Sequence, residues 1–250
     1  MHYFIFPEVD TTLYFASGSK NTGLDEIIEI RKDMKSDGTN VKVSRILMKF
    51  DLTYISSSIA RGLISNPKFY LNLFDANPQD IGYSQSLYAY PISQSWVSGE
   101  GFEGDIPVTQ EGASWDYRTG YNDEIYWVSA SSTSSYKQGG TFYTASYGSQ
   151  SFAWGTEDMR MDVTPVVNKW LNETYPNEGF MLKRSGSVGL EGVESGSGAE
   201  GDNTVLGNFS FFSRETNTIF PPKLEVEWYD TVWNTGSLNP LSSTNLEDLV

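Results

Sequence analysis

Side chains able to do chemistry are few in kind and dominated by one sort. The chain has one histidine, His2, and no cysteine, against 32 aspartates and glutamates. A lone imidazole beside the first residue leaves no Ser-His-Asp triad, no histidine base and no histidine-rich metal site. The missing thiols exclude thiolate catalysis, Cys-ligated zinc and a disulfide framework. Hydrolysis of a glycosidic bond needs two carboxyls roughly 5 to 10 Å apart in a cleft. Among so many acids such a pair always exists on paper, so the count argues for nothing, and the expectation is a non-enzymatic protein. "DANPQD" does offer Asp75, Asn77 and Asp80, three hard oxygen side chains in one loop, suited to a structural calcium ion. The same residues make ordinary Asx-turns, and the glycine and bidentate glutamate of an EF-hand loop are missing. "GEGFEGDIP", with Glu100, Glu103 and Asp105, is a comparable set. No other cofactor is called for.

The second chemistry is aromatic. Phe, Trp and Tyr make up 14% of the chain, and the middle third holds Trp96, Trp115, Trp127 and Trp154 with Tyr83, Tyr88, Tyr90, Tyr117, Tyr121 and Tyr126. Exposed rings stack on sugar faces, whereas buried ones build cores and interfaces. "WDYRTGYNDEIYW" is the densest stretch. It makes Trp115, Tyr117, Tyr121 and Trp127 the expected ligand-binding residues, with core packing or protein contact as the alternative.

Strands must position these groups. In "SRILMKFDL", Ile46, Met48, Phe50 and Leu52 fall on one face and Arg45, Lys49 and Asp51 on the other. "KFYLNLF" aligns Phe69, Leu71 and Leu73, "EDMRMDV" aligns Met159, Met161 and Val163, and "KLEVEWY" aligns Leu224, Val226 and Trp228. "GGTFYTASY" and "DEIYWVSA" also read as strands. One dry and one wet face is the pattern of antiparallel sheets, so the predicted fold is an all-β sandwich. Helix signals are two: "VTPVVNKWLNE", with Thr164 as N-cap and Pro165 at the first helical position, and "SSSIARGLI", a second short helix or a turn. Residues 185–203 read as a Gly/Ser/Glu-rich loop too polar to pack. Arg214 and Glu215 read as an edge ion pair or as an arginine closing one end of the core. The domain is expected to span 1–230. Residues 231–250 are then an extended tail or a linker to further domains.

The formal net charge of −15 repels nucleic acid and anionic membrane surfaces, so neither is an expected partner. No apolar run approaches the roughly 20 residues of a membrane-spanning helix. The opening "MHYFIFPEVDTTLYF" lacks the basic start and cleavage site of a secretory signal.

The order of several segments carries a resemblance. "VDTTLYFASGSKNTGLDEIIEI", "SRILMKFDLT", "GASWDYRTG", "MDVTPVVNKW", "NEGFMLKRS" and "FFSRETNTIFPPKLEVEW" together resemble the DNRLRE-type domain. That jelly-roll β-sandwich family occurs in secreted and cell-surface proteins and is related to carbohydrate-binding modules, some of them alginate-binding. The eponymous hexapeptide is not present as such. The overall style is also similar to structural proteins of marine bacteriophages. The resemblance implies an antiparallel jelly-roll β-sandwich and a non-enzymatic virion component of a tail, neck or capsid decoration. Its partners would be other virion proteins, further copies of itself and a host-surface polysaccharide. The alternatives are a carbohydrate-binding module for acidic or host-surface polysaccharide, extracellular or on a cell surface within a longer protein, and a polysaccharide lyase or hydrolase.

Overall fold

The computed structural model describes residues 1–34, 41–123, 125–127, 139–188, 197–202 and 204–229. Alternating sequence produces two antiparallel sheets. The smaller runs β1 (His2–Ile5), β11 (Lys223–Glu227), β5 (Lys68–Leu73), β8 (Met159–Asp162). The larger runs β10 (Gly207–Phe212), β3 (Ile27–Met34), β4 (Val41–Lys49), β9 (Phe180–Lys183), β6 (Gln85–Pro91), β7 (Gly148–Phe152). It forks at β4, whose first residues pair with β3 and whose remainder pairs with β2 (Val9–Tyr14). The fold is the expected all-β jelly-roll sandwich, with three short helices among the described residues instead of one or two: α1 (Thr53–Ala60), α2 (Thr164–Leu171) and α3 (Gly198–Gly201).

The inward faces meet as the alternation requires. Ile46, Met48, Phe50, Phe69, Leu71, Leu73, Phe209, Phe211, Leu224 and Val226 are all at 0% exposure in one cluster. Each contributes about 1.5–3 kcal/mol by leaving water. Arg184 closes one end of this core: its guanidinium donates to Ile30 O, Gln85 Oε1 and Gly207 O and lies 5.3 Å over the Phe209 ring. Arg214 does not take that role; it is half exposed and pairs with its neighbour Glu215 at 2.6 Å.

The expected wet face of β4 is the main correction. Arg45 is buried and Leu47 fully so, because a second apolar cluster forms outside the larger sheet from Leu13, Val43, Leu47, Ile92, Ala113, Trp115, Trp127 and Met181. Segment 92–147 supplies four of these, so much of the larger sheet is covered on both sides. One strand expectation fails within this layer, and another falls half outside the described residues. "GGTFYTASY" forms only a single bridge, Phe142 to Ile92, because Gly139 and Gly140 take positive φ and turn the chain. "DEIYWVSA" gives a lone Tyr126 bridge to Tyr117, and the rest of it lies largely outside the described residues.

Helix α2 begins one residue off expectation. Thr164 is its first residue; its N–H is taken by Asp162 Oδ1 at 2.9 Å, and its hydroxyl accepts the Phe69 N–H of β5 at 2.9 Å. The threonine therefore ties helix to sheet and does not cap the helix. Residues 197–202 also depart from the polar-loop expectation. Glu200 of α3 is 1% exposed and lies between Arg45 (2.7 Å) and Lys183 (3.1 Å). Residues 231–250 and 189–196 are outside the described set.

Asp10, buried on β2, accepts the Arg214 N–H at 2.7 Å. Burial pushes its carboxyl from 3.8 up to about 7, Arg214 opposing and Glu215 reinforcing the shift. Between these two values the folded state holds a proton that the unfolded chain has lost, so stability falls as pH rises through this window. Asp10→Asn keeps the acceptor and removes the titration. Urea unfolding at pH 8 should show a gain of up to about 4 kcal/mol, shrinking toward zero near pH 4.

Candidate functional site

The rings singled out in the sequence divide into an interior and an exterior set. Trp115 is 1% exposed, Trp127 0% and Tyr117 8%, whereas Tyr121 is 45% exposed. Three of the four rings expected to form a platform at 115–127 are therefore interior: the alternative reading, core packing, holds for Trp115 and Trp127. The Trp115 ring lies under the Arg45 guanidinium at 4.6 Å and against the edge of Phe15 at 5.3 Å. The Trp127 indole N–H donates to Ser114 O at 2.9 Å. Tyr121 packs edge-on against Tyr117, at 5.5 Å between centroids.

The exterior rings gather on the outer face of β6 and β7. Along β6, Gln85, Leu87, Ala89 and Pro91 point inward, while Ser86, Tyr88 and Tyr90 are partly exposed. On β7 the exposed residues are Ser149 and Ser151, set opposite Tyr88 and Ser86. Tyr147, just ahead of β7, completes a ring cluster: Tyr88 to Tyr90 at 6.1 Å, Tyr88 to Tyr147 at 5.7 Å, Tyr90 to Tyr147 at 5.5 Å and Tyr90 to Phe142 at 4.8 Å. The Ser86 and Ser151 hydroxyls meet at 2.8 Å. Burial raises the Tyr90 hydroxyl above its ordinary value, with Tyr88 and Tyr147 adding to it, so this phenol stays neutral.

No charged residue occurs in 85–91 or 147–152. Lys183, beside Tyr88 on β9, is 2% exposed, its ammonium drawn to Glu200. The face is thus a strip of phenol rings and hydroxyls on a strongly acidic protein. "QSLYAYP" and "YGSQSF" carried the signal in their alternation of polar-aromatic and apolar positions. The tryptophan content of the neighbouring segment masked it.

A cleft of about 660 Å³ lies elsewhere, between β2, β3 and the 102–104 loop, lined by Tyr14, Asp25, Glu26, Glu29, Asn77, Phe102 and Glu103 among others. Glu29 is saturated: Tyr14 OH (3.0 Å), Asn208 Nδ2 (2.7 Å), Ser210 Oγ (3.2 Å) and the Arg31 guanidinium all reach its carboxylate. Arg31 also pairs with Glu103 at 3.0 Å. Burial lifts Asp25 from 3.8 to about 6; the Glu103 N–H that it accepts and Lys20 oppose the shift, and the charges of Glu103 and Glu29 reinforce it. The four carboxylates in its wall, Asp25, Glu26, Glu29 and Glu103, make this cleft hostile to anionic ligands.

The expected calcium residues are only partly brought together. Asp75 Oδ1 accepts the Asn77 N–H at 2.9 Å, an Asx-turn, and Asn77 lines the acidic cleft. Asp80 is held by its backbone against Gly155, in the loop after β7. Among the described residues no group of three or more acidic or histidine side chains is placed to hold a metal ion. No helix among them is long and apolar enough to cross a membrane.

No protein-family model matches the chain, and no curated protein matches it significantly.

Proposed function

We propose that the chain is a non-enzymatic glycan-binding module whose binding surface is the outer face of β6 and β7. The observation that carries this reading is the uncharged cluster of Tyr88, Tyr90 and Tyr147 with Ser86, Ser149 and Ser151 beside it. Phenol rings offer flat apolar faces to the C–H side of a sugar ring, and the hydroxyls exchange hydrogen bonds with its edge. Absence of charge on the face, with −15 on the chain as a whole, selects a neutral polysaccharide over an acidic one such as alginate. No cofactor takes part. The relation to carbohydrate-binding modules implied by the segment order supports the same reading. Isothermal titration with laminarin, galactomannan and hydroxyethyl cellulose, and with alginate as the acidic control, tests it. Heat from a neutral polymer is expected; heat from alginate alone contradicts the charge argument.

A second reading, a structural component of a virion, is favoured by a different observation. Strand β1 is an edge with an apolar exposed surface: Phe4 is 43% exposed, Phe6 57% and Tyr3 40%, the last packed on Tyr54 at 5.3 Å. Unpaired apolar edges recruit further strands, which suits assembly with other copies or other virion proteins. The two readings combine in a host-recognition appendage. Sedimentation of the purified chain tests the assembly, with Phe4→Lys expected to shift any oligomer toward monomer.

A further inference from the structure

Trp154 stands in a backbone conformation that its side chain does not explain. Its φ is +79°, one of three positive values at non-glycine residues among those described, with Asn66 and Glu173. Asparagine tolerates this region, and Glu173 lies just past the end of α2, where left-handed residues are common. For a bulky tryptophan in a turn it is a strained choice. Burial does not offset the strain, because the indole is 86% exposed.

The turn itself does not need the indole. Its frame is main chain: Ile81 N–H donates to Trp154 O at 3.1 Å, Thr156 N–H to Gln79 O at 2.8 Å, and Asp80 bridges to Gly155. Glycine would take the same φ without strain. Strain at an exposed side chain points to a contact outside the fold.

Its position says what that is. Trp154 follows β7 after one intervening residue, Ala153, and Tyr83, 64% exposed, precedes β6 with Ser84 between; Gln85 pairs with Phe152, so both residues stand at one end of the strand pair whose outer face carries the Tyr–Ser strip. At the usual strand rise, 147–152 spans about 17 Å, longer than a single sugar ring. Gln79 and Asp80, both exposed beside the turn, offer amide and carboxylate groups to sugar hydroxyls.

We infer that Trp154 is the terminal subsite of the β6–β7 face, stacking its indole on one pyranose of a neutral glycan chain that runs along the strip. This rests on the glycan-binding reading, and it adds a dependence on chain length and a separation between stability and binding. Trp154→Gly is the test, with Trp154→Phe as the ring-retaining control and Tyr90→Ala as the control on the face itself. Each is titrated with laminarin, galactomannan and hydroxyethyl cellulose and melted thermally.

Trp154→Gly is expected to melt at or above the wild-type Tm while binding its best polymer roughly 10-fold more weakly, the factor for one stacking contact. Trp154→Phe should recover most of that loss. If Trp154→Gly binds within about twofold of wild type while Tyr90→Ala is weakened, the subsite is wrong and the face stands. A lowered Tm with unchanged affinity would likewise overturn the subsite, since the indole would then be structural. If the wild type binds none of the three polymers, the glycan reading fails and takes the subsite with it.

Discussion

Replacing Glu200 by alanine should lower the free energy of unfolding by about 3–5 kcal/mol, the scale for removing one member of a buried charged network. Glu200 is 1% exposed and its carboxylate is shared by Arg45, through Nε at 3.1 Å and a terminal nitrogen at 2.7 Å, and by Lys183 at 3.1 Å. Its carbonyl, with that of Asp202, also receives the buried Lys32 ammonium. Burial has already brought Lys183 down to about 8, Arg45 lowering it further while Glu200 pulls the other way. Without Glu200 that ammonium becomes harder to keep charged. Above pH 8 the unfolded chain holds a lysine proton that the folded state has released, so stability from this group rises with pH. The deficit of Glu200→Ala should therefore be widest near pH 7 and narrow toward pH 10 in urea titrations. Glu200→Gln, which keeps an acceptor, should lose less. A deficit under about 1 kcal/mol for the alanine variant, the range of an exposed pair, would contradict this picture of the cluster.

Trp115→Ala carries a comparable expected loss, about 3–5 kcal/mol for a large buried ring. The indole fills the space between Arg45, Phe15 and the main chain at Gly139, where even an added Cβ would come within 2.5 Å of the ring. Its removal opens a cavity under the irregular layer that covers β4, and Trp115→Phe should cost less. Polymer affinity, measured well below the lowered Tm, should stay within about twofold of wild type. An intact Tm with abolished binding would return the ligand site to residues 115–127.

The alternation of apolar residues made both sheets legible, because a period of two leaves Phe69, Leu71 and Leu73 only one face to share. The outer layer was not legible in the same way. Nothing local in "SRILMKF" says that Arg45 is covered, since its cover comes from Trp115 and from Glu200, far along the chain. Residues 185–203 read as polar filler for the same reason: one of their three glutamates, Glu200, becomes a core counter-ion only once Lys183 and the distant Arg45 close on it. The proposed site was half legible. Aromatic content pointed to the third of the chain that holds it, but tryptophan density follows burial there, and the exposed rings sit in the quieter Ser/Tyr alternation. At Trp154 the decisive feature is a backbone angle, which composition does not carry.

The central claim is that recognition belongs to the β6–β7 face and not to the buried rings of residues 115–127. Isothermal titration of the double variant Tyr88→Ala, Tyr90→Ala with the neutral polymer that the wild type binds best, at a temperature where circular dichroism shows both folded, tests this most directly. Loss of affinity by at least about 30-fold, two ring contacts together, is the predicted result. Affinity within about twofold of wild type would contradict it.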